Sequence, residues 1–179
     1  MAVLAEVGWA DFSIERVAAA SGVHKTTIYR RWPTRESLIS EAAMAHAQQA
    51  VPIPDTGSLY TDLSAIAHEL VAEFNSPAGR ALLRVAVDGS ANTALHDVRN
   101  AFFTARYALL EPLVTRAVAR GEAPAGTVAT AVARTLSAQF LVRLLITGEP
   151  LDPDAAAEAA AVTTAATAAG ALATQPPLT

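Results

Sequence analysis

The sequence predicts an all-α chain, and three observations carry that expectation. Ala is very abundant while aromatics make up only 6% of residues, and Ala is the best helix former whereas strands favour β-branched and aromatic runs. Apolar residues recur at three- and four-residue spacing through long windows, the period of one helix face. Proline and glycine fall between those windows more often than inside them, as breakers do in a helical protein. At 179 residues and 52% hydrophobic, the chain has enough apolar material for a sizeable core.

The elements follow in order. Four helical segments precede the first major break: Met1 to Val7, Ile14 to Ala20, Lys25 to Trp32, and Arg35 to about Gln49. Gly8, Ser21-Gly22 and Pro33-Thr34 separate them. Ser13 and Thr34 are placed as N-caps, because a hydroxyl can accept the free amide hydrogens of a first turn. The stretch Val51-Pro52-Ile53-Pro54-Asp55-Thr56-Gly57 cannot continue a helix, which sets a domain boundary and divides the chain into 1–50 and 51–179. Beyond it, Leu59, Leu63, Ile66, Leu70 and Phe74 mark one amphipathic helix, ended by Asn75-Ser76-Pro77. Ala78 to Asp88 is a shorter helix closed by Gly89. A long stretch from about Ala94 to Arg120 carries two apolar rows, which predicts a central, largely buried helix kinked at Pro112. Two more helices, Thr127 to Thr147 and Pro153 to about Ala173, complete a total of about nine, and Gln175 to Thr179 is expected to fray.

Several function classes are disfavoured at this level. The chain has no cysteine, so disulfide frameworks and thiolate metal or nucleophile sites are ruled out, and a reducing cytoplasm fits. No apolar run approaches the roughly 18 residues of a membrane span, and the N-terminus lacks a signal-peptide pattern. The four histidines, at 24, 46, 68 and 96, show no metal-ligand spacing. No nucleophile elbow, phosphate loop or dinucleotide fingerprint is present. No enzyme activity, cofactor or metal is therefore expected.

The net charge of −4 argues globally against a polyanion partner, but its distribution argues for one. From Arg16 to Arg35 the chain carries Arg16, Lys25, Arg30, Arg31 and Arg35 and no acid in between. Local field, not net charge, steers DNA. Within this segment Ala18, Gly22 and Ile28 stand at offsets of four and six, which suits two short helices crossing around a tight turn. Ala18 is small where the next helix passes, Gly22 can take the positive φ that ends the first helix, and Ile28 points inward with Val17 and Val23. The second helix then exposes Lys25, Thr26, Thr27, Tyr29, Arg30 and Arg31, the groups that suit phosphates and base edges. Arg35, just inside the next helix, and Ser13, one helix earlier, are placed to meet phosphates. An ordinary solvated helix face is the plain alternative.

The run Phe12-Ser13 through Gly22-Val23-His24-Lys25-Thr26-Thr27-Ile28-Tyr29-Arg30-Arg31-Trp32-Pro33-Thr34-Arg35-Glu36-Ser37-Leu38 resembles the DNA-binding domain of TetR/AcrR-family regulators, with the specific match covering about Val3 to Ala45. The resemblance implies a three-helix helix-turn-helix head, a helical C-terminal ligand-binding and dimerisation domain, and a homodimer whose heads move apart when an inducer binds. Two features depart from it. The first helix is only about two turns, so the chain is expected to begin late, and His24 stands where the family often has a Ser cap. The implied function is a ligand-responsive regulator of transcription, a repressor by family default, with double-stranded operator DNA, a small-molecule inducer and a second copy of itself as partners. The alternative is a small-molecule-binding helical protein whose shortened head holds DNA weakly or not at all.

For the inducer, His68, Phe74, Phe102, Phe103, Arg106 and Tyr107 combine apolar walls with a few polar groups, although plain core packing serves each of them singly. Arg106, on a helix with two apolar faces, needs a partner: an acidic ligand, Glu73 or Asp97. For the dimer, Val132, Leu136, Phe140 and Leu144 form an apolar row richer than a peripheral helix requires, beside an Ala-rich last helix that allows close approach.

Overall fold

The computed structural model describes residues 1–88 and 93–174. Among them it has ten α-helices: α1 (Ala2–Val7), α2 (Ile14–Ser21), α3 (Lys25–Arg31), α4 (Arg35–Ala50), α5 (Leu59–Asn75), α6 (Pro77–Asp88), α7 (Thr93–Ala108), α8 (Glu111–Ala119), α9 (Ala129–Val142) and α10 (Pro153–Ala168). A π-helical turn, Arg143–Thr147, continues α9. The β pairing among the described residues is a single isolated bridge between Thr127 and Ala173. The expected helix stop at Gly89 and the tail from Gln175 to Thr179 lie outside the described residues.

Packing groups the chain into two units: Met1–Ala50 with Glu73–Phe103, and Val51–Ala72 with Thr104–Thr179. The break after Ala50 coincides with the linker seen in the sequence, but the packing unit around α1–α4 also takes α6. The reason is the core. Leu4, Phe12, Ile14, Ile28, Leu38 and Ile39 share one cluster with Ala81 of α6, flanked by Leu82 and Val85, and α1 packs on both α2 and α6. Each large member removes enough apolar surface from water to contribute about 1.5–3 kcal/mol. The six-residue α1 is as short as the sequence implied, yet it seats Leu4 at 1% exposure.

The turn between α5 and α6 is tightly built. Ser76 Oγ accepts the Gly79 amide at 2.9 Å and Pro77 opens α6, where its missing N–H costs nothing. Gly79 lies so close to the end of α5 that an added Cβ would stand 2.0 Å from the Glu73 carbonyl oxygen. Glu73 in turn accepts from His46 of α4 at 2.8 Å, both side chains being mostly buried.

In the second unit Leu59, Leu63, Leu113, Val132, Leu136 and Phe140 are buried almost completely. α9 packs along α10, which presents Ala155, Ala156, Ala159, Ala160, Thr163 and Thr167 as its buried face. The one-carbon side chains of the four alanines favour close approach of the two helices. Asp152 caps α10 by accepting the Ala155 amide at 2.9 Å, with Pro153 at the first helical position, the arrangement expected of a well-formed helix start. The helix ends at Ala168 rather than near Ala173, because Gly170 takes a positive φ of 77° and the chain turns back to pair with Thr127.

Two expectations are corrected here. The long central helix is two helices, not one kinked helix. α7 closes with tight bonds from the Leu109 and Leu110 amides to Arg106 and Tyr107, and Pro112, which has no amide hydrogen to give, sits in the first turn of α8 instead of in a helix interior. Second, Val132, Leu136 and Phe140 are at most 1% exposed within one chain. They are core residues against α10, so of the expected dimer row only Leu144 is partly open. Ala129–Thr147 forms a continuous helical span of 19 residues that passes for a membrane-crossing helix by length and composition alone. Its inner face is the α10-packed core just described, and it carries Arg134 and Arg143.

Candidate nucleic-acid interface

α2 and α3 pack on each other around the glycine corner that the spacing predicted. Gly22 ends α2 with φ 70° and ψ 6°, a left-handed conformation that costs an L side chain energy but not glycine. Ser13 caps α2 from an extended conformation, its Oγ accepting the Arg16 amide at 3.2 Å. Ile28 is the buried anchor of α3. Val23 departs from expectation: at 42% exposure it lies on the surface of the turn, because its amide bonds to Ser21 Oγ at 3.3 Å and the corner faces outward. His24 precedes α3 without a side-chain capping bond, so its carbonyl alone receives the first amides, from Thr27 and Ile28.

Burying Ile28 leaves the remaining face of α3 outward. Lys25, Thr26, Thr27, Tyr29, Arg30 and Arg31 are all exposed. They are not equivalent. Lys25, Thr26, Thr27 and Arg30 make no side-chain hydrogen bond among the described residues, whereas Tyr29 donates its hydroxyl to Glu15 of α2 at 2.8 Å. Arg31 lies over the Trp32 ring with its guanidinium carbon 4.7 Å from the centroid and donates to Glu41 of α4 at 2.5 Å. Glu41 also accepts Trp32 Nε1 at 2.8 Å. These bonds hold both carboxyls below the usual range, Glu15 through the Tyr29 hydroxyl first and Glu41 through the Trp32 indole first, with Arg31 assisting. The Tyr29 hydroxyl is pushed up by the same contact. Thus α3 is braced on both flanks, to α2 by Tyr29 and to α4 by Arg31 and Trp32.

Arg35 stands differently from expectation. Its Nη1 donates to the Phe12 carbonyl at 3.1 Å and the Trp9 carbonyl at 3.4 Å, its Nε reaches Glu36 at 3.3 Å, and its guanidinium carbon lies 4.3 Å from the centroid of the Trp9 ring. It clasps the α1–α2 turn to α4 rather than projecting outward. α4 itself starts with a reciprocal cap in which Thr34 Oγ1 accepts the Ser37 amide at 3.1 Å and Ser37 Oγ accepts the Thr34 amide at 3.3 Å. Sequence reasoning did not find Glu15, Glu41 and Trp9 as supports. They lie 14, 10 and 26 residues from their partners on other elements, beyond the reach of any single-helix period.

The residues expected to meet an inducer divide between the two units. In the first, Phe74, Phe102 and Phe103 are half-buried, and Phe102 and Phe103 meet edge to face with centroids 5.3 Å apart. In the second, Arg106 and Tyr107 are half-buried, while His68 is exposed and bonds the Ser64 carbonyl of its own helix at 2.8 Å. His68 is therefore a surface group of α5 rather than part of an apolar wall. Of the carboxylates considered for Arg106, Glu73 is taken by His46 and Asp97 lies 3.4 Å from His96. Arg106 Nη2 instead donates to the Val51 carbonyl, and burial lowers its pKa.

Known proteins share both parts of this arrangement. Residues 1–42 match the family model for bacterial regulatory proteins of the tetR family, and residues 53–172 match that for the tetracyclin repressor-like C-terminal domain. The HTH-type transcriptional regulator AqdR of Rhodococcus erythropolis is 33% identical over 82% of this chain and 70% of its own length. An HTH-type transcriptional regulator of Mycobacterium bovis is 30% identical over 85% of the chain and 75% of its own. The crystal structure of a TetR family transcription regulator superposes with a TM-score of 0.77 at 26% identity, covering 91% of both chains. Taken with a glycine-cornered helix pair that presents an outward cationic, hydroxyl-bearing helix, these matches establish that the chain belongs to the TetR family of DNA-binding transcription regulators.

Proposed function

We propose that the protein is a ligand-released repressor that works as a homodimer, each head laying α3 in the major groove of a half-site. The carrying observation is that the burial of Ile28 turns Lys25, Thr26, Thr27 and Arg30 outward, with no side-chain hydrogen bond among the described residues. Such groups lose no internal bond on meeting DNA. Lys25 and Thr26, on the first turn, are assigned to base edges, and Thr27 and Arg30 to phosphates. Tyr29 and Arg31 arrive held by Glu15 and Glu41, which limits the side-chain ordering that binding costs. Ser13 and Arg35 support the head through a cap and a clasp. The reading in which the head no longer holds DNA is disfavoured by the intact corner and by the outward α3.

The dimer is assigned to the outer faces of α9 and α10. Val142, Leu145, Ile146 and Val162 are 45%, 53%, 77% and 48% exposed, beside exposed Ala138, Ala161 and Ala165. Large apolar side chains clustered in one region support a partner surface, and a self-complementary pair of helices from each subunit suits twofold symmetry. A regulator of this kind works in the cytoplasm, where the DNA is.

Fluorescence polarisation on a duplex from the DNA upstream of its own gene tests the reading. Binding is expected to weaken steeply with salt, and Arg30→Ala is expected to lower the salt slope by about 1 while weakening all sequences alike. Lys25→Ala is expected to cost about 1–3 kcal/mol on the specific duplex and less on a scrambled one. Absence of salt-sensitive binding by the full chain would overturn the proposal.

A further inference from the structure

Two arginines fasten the linker between α4 and α5, and a third pairs with Asp62 in the first turn of α5. Arg106 of α7 donates to the Val51 carbonyl. Arg116 of α8 donates to the Pro54 carbonyl at 2.6 Å, with its Nε 3.2 Å from the Asp55 carboxylate. Arg120 lies 3.7 Å from Asp62 and 2.9 Å from Glu122. Asp62 is fully buried, and its Oδ1 accepts both the amide and the hydroxyl of Thr56, at 2.6 and 2.7 Å.

The fastenings differ in kind. Arg116 and Arg120 are neutralised by carboxylates, whereas no carboxylate lies within ion-pair distance of Arg106 among the described residues. An arginine–carboxylate pair can form two parallel N–H···O bonds, which adds energy and specificity beyond one bond to a carbonyl. A guanidinium presents five donors in a planar fork that matches a carboxylate, and a single carbonyl leaves most of that capacity unused. Arg106 is half-buried, so its charge has lost part of its water without gaining a counter-charge. In the same unit Val51 is buried, and Tyr107 and Leu109, which follow Arg106 along the chain, are half-buried.

The geometry points to Arg106 as the anchor for a carboxylate-bearing amphiphile, which takes the guanidinium in place of the Val51 carbonyl. This rests on the reading of the chain as a ligand-responsive regulator and names the ligand's class. Val51 follows directly on Ala50, the last residue of α4, so the ligand's arrival unfastens the first peptide beyond the helix that begins at Arg35. The contacts of Arg116 and Arg120, already paired with carboxylates, stay closed.

The test uses the full chain with octanoate, decanoate and dodecanoate, each against its primary amide. Melting temperature is followed together with hydrogen exchange of the Val51, Ile53 and Thr56 amides. The carboxylates are expected to raise the melting temperature and speed exchange at Val51 and Ile53, while Thr56, held by Asp62, is unchanged; the amides do neither. Arg106→Gln is expected to abolish the carboxylate response. If that variant does not fold, Arg106→Lys decides, since a point charge without the planar fork is expected to shift the response midpoint to higher carboxylate concentration. A carboxylate response undiminished in the substituted protein, or none beyond that of the amides in the wild type, overturns the inference. Polarisation on the upstream duplex runs alongside. DNA binding without a carboxylate response overturns only this inference, whereas an Arg106-dependent response without DNA binding overturns only the regulator reading.

Discussion

Gly79 carries a constraint that composition cannot reveal. Its space is occupied by the backbone of Glu73, so a side chain there must displace the end of α5 rather than a flexible neighbour. Gly79→Ala is expected to destabilise by about 2–3 kcal/mol, the upper range for overpacking, and to lower the melting temperature by about 4–12 °C in a thermal circular dichroism scan. Ser13 is the complementary case, with a role that was visible in the sequence. Ser13→Ala removes the acceptor for the Arg16 amide and is expected to cost about 1 kcal/mol, read in the same scan. Arg35 shows where residue-level reading fell short. A cation just inside a helix start suggests a phosphate ligand, and only the return of the Trp9 and Phe12 carbonyls beneath α4 makes it a clasp.

Between elements, the bracing of α3 by α2 and α4 sets a pH dependence. The carboxyls of Glu15 and Glu41 lie below their ordinary values because Tyr29, Trp32 and Arg31 favour the charged forms. A lowered carboxylate pKa contributes stability that is complete above the unfolded value, about 4.3, and is lost as pH falls through the folded value. Melting temperature is thus expected to hold steady from pH 7 to about 5 and to fall below about 4.3, with Glu41→Gln flattening part of that fall. An unchanged acid limb in the Gln variant would contradict the bracing. The split of the central helix also belongs at this scale. Periodicity carried the apolar rows across residues 108–111, but Pro112 finds a lower-energy place in a first turn than in an interior, so two helices replace one kinked helix.

For the whole molecule, the two apolar faces of α9 divide into an inner and an outer surface. Val132, Leu136 and Phe140 serve the chain's own core, whereas Val142, Leu145 and Ile146 are exposed and form the surface proposed for a second copy. Replacing both Leu145 and Ile146 by Glu is expected to halve the mass measured by light scattering while leaving helical content unchanged, because both side chains are exposed in the single chain. Binding to the upstream duplex should fall with it, since one head engages only one half-site. A dimeric mass in that variant would place the interface elsewhere.

The helical class, the glycine corner at Gly22, the inward Ile28 and the outward cationic face of α3 were legible from residue order alone. Each of these follows from local backbone chemistry or from the period of one helix. What crosses between helices emerged with packing: Glu15 and Glu41 as braces, Arg35 as clasp, Val132 and Phe140 as core, and Arg106 on the Val51 carbonyl. Those pairings join residues far apart in the chain, and the burial that selects them exists only once the chain has packed.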